Sequence, residues 1–331
     1  TTLGTGNFVA GSTAGDSILA GGNYNTLVGD NAGTAVTTGD YNVALGANAL
    51  DANTTASNNT GIGYAAGGLV TTGINNTLVG SLAGDALTEA SYNVALGYQA
   101  LSGDTLGARS VAIGTQALLS QNFTSATNAY NVAIGYQAGA LVSTGVENTF
   151  IGANAGSNTT TASNNTAIGF EAMDANTTGA NNVAVGFKAL DANTTADANT
   201  AVGRSALGSN ITGVNNVAVG YFSLLANTTG GSNVAVGYQA LDTNTTGTNN
   251  VAVGTLALGL NSTGTENTAV GHLSLYKNTA SNNTGIGRSA LYDNTTGTGL
   301  VALGHSALAN NTASNNTAVG YNALSGNQTG A

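Results

Sequence analysis

The 331-residue chain contains 49 Gly, no Pro, no Cys and no Trp, and only 6% of its residues are charged. Five Lys and Arg stand against fifteen Asp and Glu, a net charge of −10, which argues against a nucleic-acid surface and against docking on anionic lipid. Without cysteine there is no disulfide and no thiolate metal site, and no apolar run nears the ~20 residues of a membrane span. The 41% hydrophobic content is not a disordered composition, but its Ala, Val and Leu are too small to fill a wide core. A thin core is expected.

The opening Thr1-Thr2-Leu3 carries no leader signature. From there one phrase, Asn-(Val/Thr)-Ala-(Val/Ile)-Gly, recurs along the whole chain. Its closing glycines run from Gly11 through Gly29, Gly46 and Gly63 to Gly304 and Gly320, nineteen in all, and fourteen of the eighteen intervals are 17 residues. A 17-residue unit is too short for a helical hairpin repeat, which needs about 33 residues, and its glycines and Asn-Thr-Thr clusters would interrupt a helix. The prediction is an all-β parallel β-solenoid of about 19 coils, a single repeat domain over residues 1–331. At ~4.8 Å per paired strand, it would form a rod of roughly 90 Å.

Within one coil, the residues one and three before the anchor glycine share a strand face. They are nearly always aliphatic or Thr, as in Val183 and Val185 or Val217 and Val219, so this pair is expected to face inward. The small residue between them, usually Ala, forms a second column. A second short strand is expected after the glycine, as in Tyr238-Gln239-Ala240-Leu241, its Leu forming another core column. An Asn-Thr-Thr-Gly stretch then turns the chain back.

Three irregularities refine this reading. Six copies carry Gly where the others carry Leu or Met (Gly15, Gly33, Gly67, Gly84, Gly139, Gly156), and five of them regain an aliphatic residue three positions later: Ile18, Val36, Val70, Leu87 and Val142. Core volume is thereby moved rather than lost. Asn precedes the Val/Thr position in seventeen copies, with Ser110 and Leu300 as breaks, and stacked amides predict an Asn ladder. Four extra residues between Gly114 and Gly135 are expected to loop outward around Asn122 to Thr127 without disturbing register.

The repeat resembles the Asn-Ser-Val-Ala-Ile-Gly head repeats of YadA-like trimeric autotransporter adhesins. It resembles still more the longer Asn-Asn-Thr-Ala-Ile-Gly arrays of phage tail-fibre and related surface proteins. Residues 199–207 (Asn-Thr-Ala-Val-Gly-Arg-Ser-Ala-Leu) and 316–324 (Asn-Thr-Ala-Val-Gly-Tyr-Asn-Ala-Leu) carry the likeness. It implies a left-handed β-roll assembled as a homotrimer and an extracellular place on a virion or cell surface. Each thin coil buries few apolar groups for seventeen ordered residues, which also favours self-association. The smooth Ala columns, including Ala218 and Ala235, are the expected interface.

Nothing in the sequence resembles an active site, a cofactor motif or a metal cage, and no catalytic residue, cofactor or metal is expected. His272 and His305 share one repeat position two coils apart, ~10 Å at strand spacing, too far to share a metal. The column after the anchor glycine holds Tyr64, Tyr98, Tyr136, Phe170, Phe187, Tyr221, Tyr238 and Tyr321, with Arg204 and Arg288. On a regular surface, Tyr64, Tyr98, Tyr136, Tyr221, Tyr238 and Tyr321 are candidate glycan contacts; packing across a chain seam is the competing use. Asn-X-Thr sequons such as Asn53-Thr54-Thr55 are explained by turn chemistry.

The leading expectation is therefore a structural fibre shaft, of a virion tail fibre or a bacterial surface appendage, that presents a host- or surface-binding tip. The alternative is an adhesin head or matrix filament whose repeats themselves bind surfaces or glycans. Ice binding ranks third: the threonines are adjacent, as Thr245-Thr246, rather than in a Thr-X-Thr column. The chain stops at Gly330-Ala331, where another Asn-Asn-Val would begin without a polar cap. A segment of a longer protein is expected.

Overall fold

The structure, a computed structural model, describes residues 4–326. Both chain ends read above, Thr1-Thr2-Leu3 and Gly330-Ala331, lie outside the described residues. The fold is a parallel β-solenoid of about 18 turns, and no helix occurs among the described residues. Each repeat contributes one three-residue strand built on the β-branched pair that flanks the small residue, for example Val217–Val219 and Val234–Val236. Strands pair in parallel with their equivalents one repeat away, so Val234 faces Val251, Ala235 faces Ala252 and Val236 faces Val253. The chain divides into two compact units, Thr1–Asn165 and Thr166–Ala331. Nine such strands stack in the first and ten in the second.

The strand faces are reversed from the sequence expectation. In almost every strand the middle residue is buried and its two neighbours are partly or fully exposed. Ala218 and Ala235 have no exposed surface within a single chain, so the Ala columns form the interior wall and cannot be a seam between chains. The reason is room. Leu at the fourth position after the anchor glycine projects into the same interior, and a Cβ added at Gly61, in the Ala column, would lie 2.8 Å from Leu50 Cγ. Only a methyl group or less fits there beside that Leu, and the larger Val and Ile side chains turn outward.

The second predicted strand is also absent. After the anchor glycine the chain places every second residue in the left-handed region: Gln239 at φ 51° and Leu241 at φ 52°. Alternate N–H groups therefore point to opposite neighbours, Gln239 N to Tyr221 O (3.0 Å) and Leu241 N to Ala257 O (3.0 Å). Backbone bonding along the stack is kept without extended geometry. The Leu column is nevertheless core, as expected: Leu101, Leu190, Leu241 and Leu291 are fully buried. The anchor glycine is demanded twice over. Gly237 sits at φ 135°, and a Cβ there would come within 2.7 Å of the Gly254 carbonyl.

The exchange of volume has a simple geometry. Glycines replacing Leu occur in consecutive coils, and each pair encloses one large residue in the otherwise small column. A Cβ at Gly15 or Gly33 would collide with Leu27, at Gly67 or Gly84 with Leu78, and at Gly139 or Gly156 with Phe150. Ile18, Val36, Val70, Leu87 and Val142 are buried beside them. At the first two pairs, two missing leucines are thus replaced by one inward side chain and two displaced aliphatics; at the third, Phe150 is accompanied by Val142 and the buried Thr159.

The amide ladder forms as expected. Asn233 Nδ2 donates to Asn216 Oδ1 (3.2 Å) and to Gly247 O (2.8 Å), while its Oδ1 accepts the backbone N–H of Asn250 (3.0 Å). At the Ser110 break, Gln121 supplies the missing rung: its Nε2 donates to Ser110 Oγ (3.0 Å) and its Oε1 accepts from Asn131 Nδ2 (2.8 Å). The four-residue insertion leaves register intact, Val111 facing Val132. Asn122 and Thr124 to Ala126 point outward, Phe123 tucks in, and Thr127–Asn128 adds a small strand against Gly107–Ala108.

Candidate functional site

Three outward features could meet a partner: the strand face, the column after the anchor glycine, and a second aromatic column. The strand face presents two parallel columns. One mixes Val and Thr and the other holds Val, Ile and Leu, with Leu45, Leu96, Ile134, Val253 and Val270 each more than a third exposed. No charged residue occurs in either column. A contiguous uncharged apolar strip of this kind marks an interaction surface more often than free surface.

The column after the anchor glycine differs between the two units. In the second unit its rings are stacked from Phe170 to Tyr238 and again at His305 and Tyr321. Phe170 lies on Phe187 (5.6 Å between centroids), Arg204 lies over Phe187 at 5.3 Å and over Tyr221 at 5.7 Å, and Tyr221 lies on Tyr238 (5.6 Å). Tyr321 stacks on His305 at 5.1 Å. These rings use their faces on one another, as strand spacing permits for rings at equivalent positions on adjacent coils. In the first unit, Tyr64, Tyr98 and Tyr136 are about half exposed, and among the described residues no ring or cation stacks on them. The six tyrosines grouped by the sequence therefore fall into two kinds.

No protein-family model and no curated protein matches this chain.

Sequence reasoning missed the second aromatic column, five residues before the anchor glycine. There Tyr24 stacks on Tyr41 (5.1 Å), and Arg109 lies 4.8 Å from the Tyr92 ring and 6.0 Å from the Tyr130 ring. Every described residue of that column from Tyr24 onward has positive φ. Recurrence of Tyr in a column otherwise rich in Asn was the available signal. A second amide ladder was missed as well. In the second unit Asn193, Asn210, Asn227 and Asn244 each donate Nδ2 to the preceding Asn Oδ1 at 2.8–3.1 Å. Its first-unit counterpart Asn53 is buried with neither amide atom partnered, which also closes the Asn53 sequon in the folded state.

One buried ionisable group stands out. Asp104 occupies the same repeat position as these asparagines and accepts from Gln121 Nε2 (2.6 Å), Gly107 N (3.0 Å) and Phe123 N (3.3 Å). Burial nevertheless raises its pKa above the usual carboxylate value, the hydrogen bonds opposing only in part. Asp85, Asp191 and Asp242 are raised chiefly by the same cause. Lys188 pairs with Glu171 (2.7 Å) and Lys277 with Asp293 (2.6 Å) on the surface. Among the described residues no three His, Asp or Glu side chains gather where a metal ion could be held.

Proposed function

We propose that this chain is a structural fibre shaft of a virion tail fibre or bacterial surface appendage, outside the cell, assembled from several copies and presenting a binding tip. The observation that supports this most is the outward strand face. Two uncharged columns of Val, Thr, Ile and Leu repeat at every coil within each unit from Thr26 onward, a surface suited to another copy of itself. The trimer proposed from the sequence is kept, with its contact moved from the interior Ala columns to this face. Sedimentation equilibrium at low micromolar concentration tests it. A mass near three times 32.1 kDa is expected; a stable monomer refutes the assembled shaft. Replacing Val217, Val219, Val234 and Val236 with Glu is expected to yield folded monomers.

A second reading, adhesion by the repeats themselves, is favoured by the unstacked tyrosines of the first unit. Ice binding regains some ground because the Val/Thr column faces outward, contrary to the sequence argument. Against it, that column is mixed, and its partner column offers no hydroxyls. In the adjacent-Thr turns the first hydroxyl is already used, as Thr245 Oγ1 donates to Ser262 O (3.0 Å). Thermal hysteresis by the purified chain would reverse that ranking.

A further inference from the structure

In the first unit the column after the anchor glycine reads Tyr64, Ser81, Tyr98, Thr115, Tyr136, Ala153. The strands beneath it are in register from Thr60–Ile62 to Val132–Ile134. Backbone bonds tie the column to the next coil, with Leu82 N on Tyr64 O, Gln116 N on Tyr98 O and Asn154 N on Tyr136 O, each 2.9 Å. The three rings therefore stand on alternate coils, about 9.6 Å apart at strand spacing, with small side chains between them. They are 56%, 48% and 52% exposed. Lacking a stacking neighbour, each ring is free to offer a face to a ligand, whereas Tyr221 is covered by Arg204 on one side and Tyr238 on the other.

We propose that Tyr64, Tyr98 and Tyr136 form a binding row for an extended β-1,4-linked polysaccharide of neutral pyranose sugars lying along the stack. A tyrosine ring packs against the apolar C–H face of a pyranose. In an extended β-1,4 chain successive sugars are flipped, so the same face recurs at every second sugar, over a length close to two strand spacings. The row has that period. Polar partners lie beside it: Gln116 Nε2 donates to Gln99 Oε1 (3.1 Å) and Gln137 Nε2 to Gln116 Oε1 (2.9 Å), an amide track parallel to the rings that can meet sugar hydroxyls. An open groove of about 350 Å³ adjoins the Tyr64 coil, lined by Asn48, Asp51, Ala65, Gly68, Leu69 and Asp85. Its two carboxylates are suited to hydroxyl donors. They and the net charge of −10, with Arg109 the one Lys or Arg before residue 166, favour a neutral over an acidic glycan. This inference goes beyond the shaft reading and does not depend on it.

The test is retention of the intact chain on microcrystalline cellulose and on chitin, with calorimetry against soluble cello- and chito-oligosaccharides of two, three and five sugars. Retention on at least one matrix is expected. Affinity should rise on going to three sugars, which bridge two rings, and again at five, which reach all three, by about tenfold per ring. The Y64A/Y98A/Y136A variant should lose these gains, and Y221A/Y238A should keep them. Absence of retention on both matrices overturns the proposal, as do affinity that does not depend on length and unchanged binding by the triple variant. If the triple variant fails to fold by circular dichroism, Y98A alone decides: the gain at three sugars should shrink while a gain at five remains, and an unaltered series refutes the row.

Discussion

The same substitution at the same repeat position should have opposite effects in the two units. Asn227 and Asn53 both lie three residues after a buried Leu, Leu224 and Leu50, and both are fully buried. Asn227 Nδ2 donates to Asn210 Oδ1 (2.8 Å) and Gly230 O (2.9 Å), and its Oδ1 accepts from Asn244 Nδ2 (2.8 Å). Asn53 has no side-chain partner. Truncation to Ala removes the same atoms at both sites, so transfer and packing losses largely cancel in the comparison. At a net value of about 1 kcal/mol per hydrogen bond, Asn227→Ala should cost roughly 2–4 kcal/mol, including the carbonyl left without its donor. Asn53→Ala relieves two unpaired buried atoms, a penalty of about 1–3 kcal/mol, and should be neutral or stabilising by about 1 kcal/mol. Hydrogen exchange at the adjacent strands reads each local opening free energy: Val217–Val219 and Val234–Val236 for one site, Val43–Leu45 and Thr60–Ile62 for the other. Equal losses at both sites would refute the idea that partnered amides, rather than filled volume, stabilise this column.

Because folding raises the Asp104 pKa, the folded chain holds that proton more tightly than the unfolded one. Stability should therefore fall as pH rises from 3.8 through the elevated folded value, and the deficit is complete above it. Asp85, Asp191 and Asp242 act in the same direction. Asp104→Asn should flatten this slope, while its NH2 facing the Gln121 Nε2 donor offsets any gain at pH 7; an unaltered slope would count against the reasoning. Ala218→Glu puts a charge into the interior wall and should cost about 3–5 kcal/mol, at every protein concentration. A loss seen only as weakened association would return Ala218 to an interface. Ala198 has φ 58° between Asn181 and Asn215 at the same position with φ 60° and 59°. Ala198→Asn should raise the thermal midpoint by the equivalent of about 0.5–1 kcal/mol, Asn tolerating the left-handed region better.

Among the candidate functional residues, the column after the anchor glycine was legible because Tyr recurs at one repeat position. Division of that column into stacked and free rings was not, since it depends on which coils are adjacent and on what stands between the rings. Tyr221 and Tyr238 are neighbours up the stack, whereas Tyr64 and Tyr98 are separated by Ser81. The Tyr92–Arg109–Tyr130 sandwich was missed for a related reason: its members share one repeat position, but Arg interrupts the recurrence of Tyr and the three meet only through coil stacking.

The period, the parallel stacking, the Asn ladder and the exchange of leucine for paired glycines are all legible in the amino-acid sequence. Each of these is a property of a column, and a column can be read from any repeat array without knowing which way it faces. The sidedness of the strand is set by packing between coils. A tripeptide such as Val217-Ala218-Val219 offers two faces, and hydrophobicity alone assigns the larger pair to the inside. The interior, however, is already occupied by Leu224 and the two amide ladders. Left-handed backbone at Phe222 and Leu224 brings that leucine inward from what sequence pattern reads as a second strand. With the space taken, a methyl group is what remains possible opposite it, and the β-branched residues become the outer surface.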